Sequence, residues 1–208
     1  MSTANETVPS YAASQSLGSL RRWMARRRIA ISITCFTALV FFNLVILQRH
    51  PSNPLAVWHW NSGLGLALIV GGLAIRSWSA GTLNKFRELV TDGPYALSRN
   101  PLYVGSFLMM YGFALLMSDW LAIAFIAGPM SVLYYYQVLN EEKFLAELFP
   151  NQWPSYEQQT SRFIPVKFKS SWQSGWSRAQ WQRNREYQAI FGAAIGILGL
   201  IVLSRIGQ

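Results

Sequence analysis

Apolar stretches at about 29–48, 62–80, 101–118, 119–138 and 188–204 alternate with polar runs along this chain. Each is near the roughly 17–25 residues that a helix needs to cross a bilayer. Spans 102–117 and 120–137 are parted by Ser118 and Asp119 alone, which predicts a helical hairpin whose two ends meet on one side. Residues 139–149 read as a helix continuing beyond the fourth span. Residues 1–20, rich in Ser, Ala and Thr, read as a disordered tail. The expected fold is therefore all-α: a polytopic membrane protein of five transmembrane helices, forming one integral domain over 21–208.

Charge orients these spans. Lysine and arginine collect on the cytoplasmic side, and here all but Arg49 and Arg205 of the 18 basic residues fall before the first span or in the second and fourth connections. The pattern predicts a cytoplasmic N-terminus. Arg26-Arg27-Arg28 before the first span, with no small-residue cleavage site after Leu47, suits a retained anchor rather than a signal sequence. With 51% hydrophobic and 13% charged residues, the net charge of +9 is explained by anionic headgroups. No soluble basic domain is left to hold nucleic acid. Cys35 has no second cysteine to pair with, and His50 and His59 lie in the outer loop, far from the carboxylates, which argues against a histidine metal site.

Several smaller signals are structural. Gly63, Gly65, Gly71 and Gly72 in the second span let helices approach closely, as do Gly192 and Gly196 in the last. Trp58 and Trp60 predict an outer loop resting on the membrane interface. Arg76 is expected to snorkel to headgroups, with a buried role as the alternative. Trp172, Trp176 and Trp181, interleaved with basic residues, predict an amphipathic stretch lying on the inner surface.

The chemistry gathers at the cytoplasmic ends of the hairpin. Gly93-Pro94 is turn material and Pro101 suits a first helical turn. Arg99 and Asn100 then stand at a helix entrance whose free N–H groups favour an anion, and arginine grips carboxylates with two bonds. On the returning helix Gln137 and Glu141, four apart, share a face, with Tyr134 a turn earlier. Tyr95, Tyr103 and Tyr134 offer ring faces to a cation. A ligand carrying a carboxylate, an ammonium, a sulfonium and a ribose fits such a site, and S-adenosyl-L-methionine carries all four. The plainer alternative gives Arg99 to lipid headgroups and makes Glu141 and Glu142 a solvated helix end.

The run Leu89-Val90-Thr91-Asp92-Gly93-Pro94-Tyr95, continuing through Arg99-Asn100-Pro101-Leu102-Tyr103-Val104-Gly105, resembles the signature of the isoprenylcysteine carboxyl methyltransferase family, related to phospholipid methyltransferases. Glu141-Glu142, Phe149, Tyr156, Arg162 and Pro165 resemble its second half, so the likeness covers about 76–166 and leaves span 188–204 as an addition. It implies S-adenosylmethionine as cofactor, in a cytoplasmic-face pocket, and a lateral opening for a lipidic acceptor. Carried over by residue, it gives cofactor contacts to Arg87, Glu88, Leu89, Val90, Tyr95, Asn100, Pro101, Leu102, Tyr103 and Glu141. It gives Arg99 and Glu142 to the catalytic machinery, where they orient the pocket, and Gln137 to the substrate. Two positions depart from the family: Asn100 where histidine is common, and Gln137 where arginine is common. Asn100 has no titratable proton, and Gln137 weakens the case for a prenylcysteine acceptor.

The function implied is methyl transfer to a small or lipid-like acceptor, by O-methylation first and N- or S-methylation otherwise. Two rival readings use the same residues: an NADPH-dependent membrane reductase of the sterol or steroid type, and a non-catalytic membrane protein that kept the pocket. The expected partners are the acceptor and membrane lipids. Short loops and the lack of retention signals point to a bacterial inner membrane.

Overall fold

The structure, a computed structural model, describes residues 51–84, 88–165 and 175–206. The expected tail, the first span and Arg87 lie outside the described residues. The rest is helical: α1 (Trp60–Thr82), α2 (Pro94–Leu97), α3 (Pro101–Leu116), α4 (Trp120–Phe125), a π-helical turn (Ile126–Met130), α5 (Ser131–Leu148), α6 (Trp153–Gln159), α7 (Arg178–Arg183) and α8 (Tyr187–Ile206). Three helical runs, Trp60–Thr82, Trp120–Leu148 and Tyr187–Arg205, are long and apolar enough to cross a membrane, and Pro101–Leu116 is a shorter apolar helix. The chain is a multi-pass, all-α membrane protein.

Glycine sets the central packing. α1 and α3 run antiparallel with Gly65 against Gly112 and Gly72 against Gly105; a Cβ at Gly112 would lie 2.6 Å from the Gly65 carbonyl oxygen, and one at Gly105 2.7 Å from that of Gly72. With little hydrophobic driving force between helices in lipid, such close backbone approach supplies the packing. In α8, Gly196 lies against the Phe113 ring, whereas Gly192 faces no neighbour among the described residues.

α3 and α4 form the expected hairpin. Its turn uses Ser118 at φ 53° and buried Asp119, whose side chain caps α4 by accepting from Leu121 N–H at 2.9 Å. The 51–61 loop is pinned to this turn: Ser52 N–H donates to the Leu116 carbonyl at 2.9 Å, and Asn61 Nδ2 donates to Ser52 Oγ at 2.6 Å. Trp58, Trp60 and Trp120 are exposed at this end, where tryptophan favours a membrane boundary. A π-helical turn inside the Trp120–Leu148 run went unforeseen. Pro129 lacks an N–H for the ladder, and the Ile126 carbonyl accepts from the Ser131 N–H and also from Ser131 Oγ, the latter at 2.7 Å.

The end of α1 corrects two expectations. Arg76 does not reach outward to headgroups: Nε and Nη2 donate to Glu186 at 2.8 and 3.0 Å, and Nη1 to Ser106 Oγ at 2.5 Å. A buried carboxylate offers the guanidinium a bidentate partner that outweighs snorkelling. Nor do Trp176 and Trp181 lie along a flat amphipathic stretch. Trp176 Nε1 donates to the Ser77 carbonyl at 3.2 Å and Trp181 Nε1 to Ser77 Oγ at 2.9 Å. Gln180 Nε2 reaches the Leu83 carbonyl at 2.6 Å, and Asn184 Nδ2 the Ala80 carbonyl at 2.7 Å. The last carbonyls of a helix have no partner within it, and the 176–186 elbow supplies donors to them. Trp172 lies outside the described residues.

Candidate functional site

The hairpin brings both polar flanks together at the end opposite Ser118. Gly93, at φ 58°, turns the chain into α2, and Pro101 opens α3 as N1. The 160–165 tail then packs on the entrance of α3: Arg99 N–H donates to the Ser161 carbonyl at 2.9 Å, and Ser98 Oγ and Asn100 Nδ2 donate to that of Arg162 at 3.0 and 3.2 Å. Tyr156 O–H donates to the Tyr95 carbonyl at 2.9 Å. Loop, hairpin and tail meet here.

Two clusters follow from the adjacent glutamates. Glu142, buried, accepts from Asn100 Nδ2 at 2.9 Å and from Arg162 Nε at 3.0 Å, with Arg162 Nη2 at 2.9 Å. Arg99 Nε stands 3.6 Å from its Oε1, and Arg99 Nη1 donates to Glu157 at 2.8 Å. The Arg99 guanidinium also lies 5.8 Å from the Trp153 ring centre. Two arginines and two glutamates balance in charge. The hydrogen bond from Arg99 holds the Glu157 carboxyl below the usual carboxylate range, and the one to Glu142 raises the Arg162 pKa. The cluster thus ties the tail to the hairpin.

Glu141 faces the other way. Its Oε1 accepts from Tyr103 O–H at 2.8 Å and from Gln137 Nε2 at 3.1 Å. Tyr134 packs edge-on against Tyr103, ring centres 5.6 Å apart, and against Phe107 at 5.3 Å. The Tyr95 side chain is buried and its hydroxyl has no hydrogen-bond partner among the described residues. Burial first, then the neighbouring Tyr156 and Glu141, push its pKa up, so it remains an O–H donor. A buried donor without an acceptor is uncommon and calls for an explanation, such as an unseen ligand.

The predicted residues thus divide. Arg99, Asn100 and Glu142 share the first cluster; Tyr103, Gln137 and Glu141 share the second, next to Tyr95. Pro101 is buried and Leu102 half-buried at the start of α3. Leu89 and Val90 are half-buried in the connection before α2, and Glu88 is exposed and accepts from Asn84 at 2.9 Å. Glu157 and Trp153 were not foreseen, nor was Glu186. Glu186 is the single acidic residue beyond Glu157, and that isolation just ahead of an apolar span was its available signal. Among the described residues no group of three or more His, Cys, Asp or Glu could hold a metal ion.

Comparison with known proteins gives the chain its relatives. The phospholipid methyltransferase family model matches residues 60–152, from α1 to the end of the hairpin. The cobalt-zinc-cadmium resistance protein CzcN of Cupriavidus metallidurans is 30% identical over 192 residues, 88% of this chain and 84% of that protein. The nickel-cobalt-cadmium resistance protein NccN of Alcaligenes xylosoxydans xylosoxydans is 30% identical over 106 residues, 47% of this chain and 49% of its own. A protein-S-isoprenylcysteine O-methyltransferase of Schizosaccharomyces pombe is 27% identical over 100 residues, 48% of this chain and 42% of its own. No solved structure matches.

Proposed function

The chain belongs to the membrane family of phospholipid and isoprenylcysteine methyltransferase-like proteins, and from that premise we propose that it methylates a small or lipid-like acceptor at the cytoplasmic face of a bacterial inner membrane. The reading includes five spans with a cytoplasmic N-terminus, so that the Glu141 end faces the cytoplasm. S-adenosylmethionine would supply the methyl group as an activated sulfonium substituent. The residues present fit that cofactor. Glu141 offers a carboxylate to ribose hydroxyls or to an ammonium, Tyr103 and Gln137 fix that carboxylate, and the buried Tyr95 hydroxyl lacks an acceptor that a ligand would provide. That buried hydroxyl, unpartnered among the described residues and within the electrostatic reach of Glu141, is the observation carrying the proposal.

The protein's share is placement and exclusion of water. The Glu142 cluster holds the tail across the entrance of α3. Holding donor and acceptor in line can lower a barrier by roughly 7–11 kcal/mol without an acid or base. A carboxylate acceptor arrives ionised and needs no base, whereas an amine has to arrive neutral. Asn100 therefore suffices where acid–base chemistry is not required.

Purified protein is expected to bind S-adenosylhomocysteine and to move a radiolabelled methyl group into extracted membrane lipids, and Glu141→Ala to abolish both. Binding of NADPH in place of S-adenosylhomocysteine would make the chain a reductase; binding of neither would make it non-catalytic. A second reading, a part in tolerance of cobalt, zinc or cadmium, draws on the names of two relatives. Growth of a deletion strain on those metals tests it.

A further inference from the structure

The Glu141 end of α3 carries opposite charges on neighbouring turns. Tyr103 holds Glu141 on the α5 side at 2.8 Å; Ser106, three residues on, holds Arg76 on the α1 side at 2.5 Å. Residues so spaced have Cβ atoms about 5–6 Å apart. Arg76 is set in advance of any ligand. Glu186 takes Nε and Nη2, and Gly105, lacking a side chain, lets Arg76 Cγ lie against α3. These bonds use three of the five guanidinium donors, and the side chain is 23% exposed.

The backbone leading to Glu186 is unusual. Arg185 sits at φ 56°, a left-handed conformation that a long side chain rarely adopts. Such geometry persists where the surroundings over-determine it and clusters at functional positions. Here the bend turns the chain from α7 into α8 and sends Glu186 inward, 4% exposed, to Arg76. The Tyr95 hydroxyl, buried and unpartnered, feels Glu141 as well as Glu186 and Arg76.

We propose that this end of α3 is a seat for a zwitterion: Arg76, preset by Glu186 and Ser106, takes an oxyanion, the Tyr95 hydroxyl donates to it, and Glu141 takes an ammonium. Two kinds of molecule carry that pair of charges, the amino-acid end of an adenosyl-sulfonium donor and a phosphoethanolamine headgroup. The first source rests on the methyl-donor reading above; the second does not.

Calorimetry on the full chain in detergent tests it with four probes. S-adenosylhomocysteine is paired with 5′-methylthioadenosine, which lacks the amino-acid end, and dihexanoylphosphatidylethanolamine with dihexanoylglycerol, which lacks the headgroup. Arg76→Gln is expected to weaken one zwitterion at least tenfold and its truncated counterpart less than twofold, and the zwitterion affected identifies the source. Unchanged affinity for both zwitterions, or equal loss of zwitterion and truncated probe, overturns the seat. So does a wild type that binds neither zwitterion. Should Arg76→Gln fail to fold, the exchange Arg76→Glu with Glu186→Arg restores the ion pair but moves the donor off α1. Binding is then expected to stay weak, and recovery to wild-type affinity reduces the pair to a structural tie. A wild type that binds phosphatidylethanolamine but neither nucleoside defeats the methyl-donor reading and leaves the seat standing.

Discussion

Glu141 and Glu142 are neighbours on one helix, yet they lead opposite lives. Successive helical residues point about 100° apart, which here sends Glu142 into the tail and Glu141 toward Tyr103 on α3. Glu142 is 7% exposed at its side chain and satisfied by Asn100, Arg162 and Arg99. Glu141 is half-buried and held by two neutral groups among its contacts. A charge compensated by two arginines closes a structure, whereas a half-buried carboxylate hydrogen-bonded to a phenol and an amide stands where a ligand can reach it. The pair teaches that function here is assigned by helical phase and not by residue type.

Breaking the Glu142 side should cost the most. Glu142→Ala takes from Arg162 its carboxylate partner and leaves Arg99 with Glu157 alone, and is expected to destabilise the protein by about 3–5 kcal/mol, the range for removing one partner of a buried ion pair. Thermal unfolding in detergent measures it, and a melting temperature within a degree or two of wild type would refute the structural assignment. Glu141→Gln should do the reverse: a change in stability below about 1 kcal/mol, since the site is not fully buried, with S-adenosylhomocysteine affinity down at least tenfold. Equal behaviour of the two variants would erase the contrast drawn here.

Smaller changes sharpen it. Tyr103→Phe deletes one hydrogen bond to a carboxylate, worth about 1.5 kcal/mol at the lower end for charged partners. S-adenosylhomocysteine binding should weaken by up to tenfold, with the melting curve little moved. The smallest effect concerns pH. Glu157 has its pKa depressed by Arg99, so its stabilising contribution is complete above the unfolded carboxylate pKa and disappears as pH falls through the lower, folded value. Its side chain is 46% exposed, which limits the effect to less than about 1 kcal/mol. Glu157→Gln should flatten that acid limb of the stability curve, and an unaltered limb would show that Arg99 does not depend on it.

Much of this arrangement is legible in the amino-acid order because it is local. The apolar runs, the two-residue break at Ser118-Asp119 and the Gly93-Pro94 and Asn100-Pro101 signals place the hairpin and its flanks. The four-residue spacing of Gln137 and Glu141 puts them on one face, and they do share a hydrogen bond. What escapes is long-range. Arg76 and Glu186 are separated by 110 positions, and no periodicity links an arginine in one span to a carboxylate at the foot of another. The elbow over 176–186 escaped for a related reason. Its tryptophans and amides read as a surface-lying stretch until the unsatisfied carbonyls of α1 are at hand to receive them.

The glycine contacts between α1 and α3 have a mechanical consequence. A seam where backbone meets backbone leaves few rotamers to rearrange, so these two rods move together. Any breathing that admits a lipid to the Glu141 end falls to the opposite flank. There the Trp120–Leu148 rod already carries an interrupted ladder at Pro129, a built-in joint.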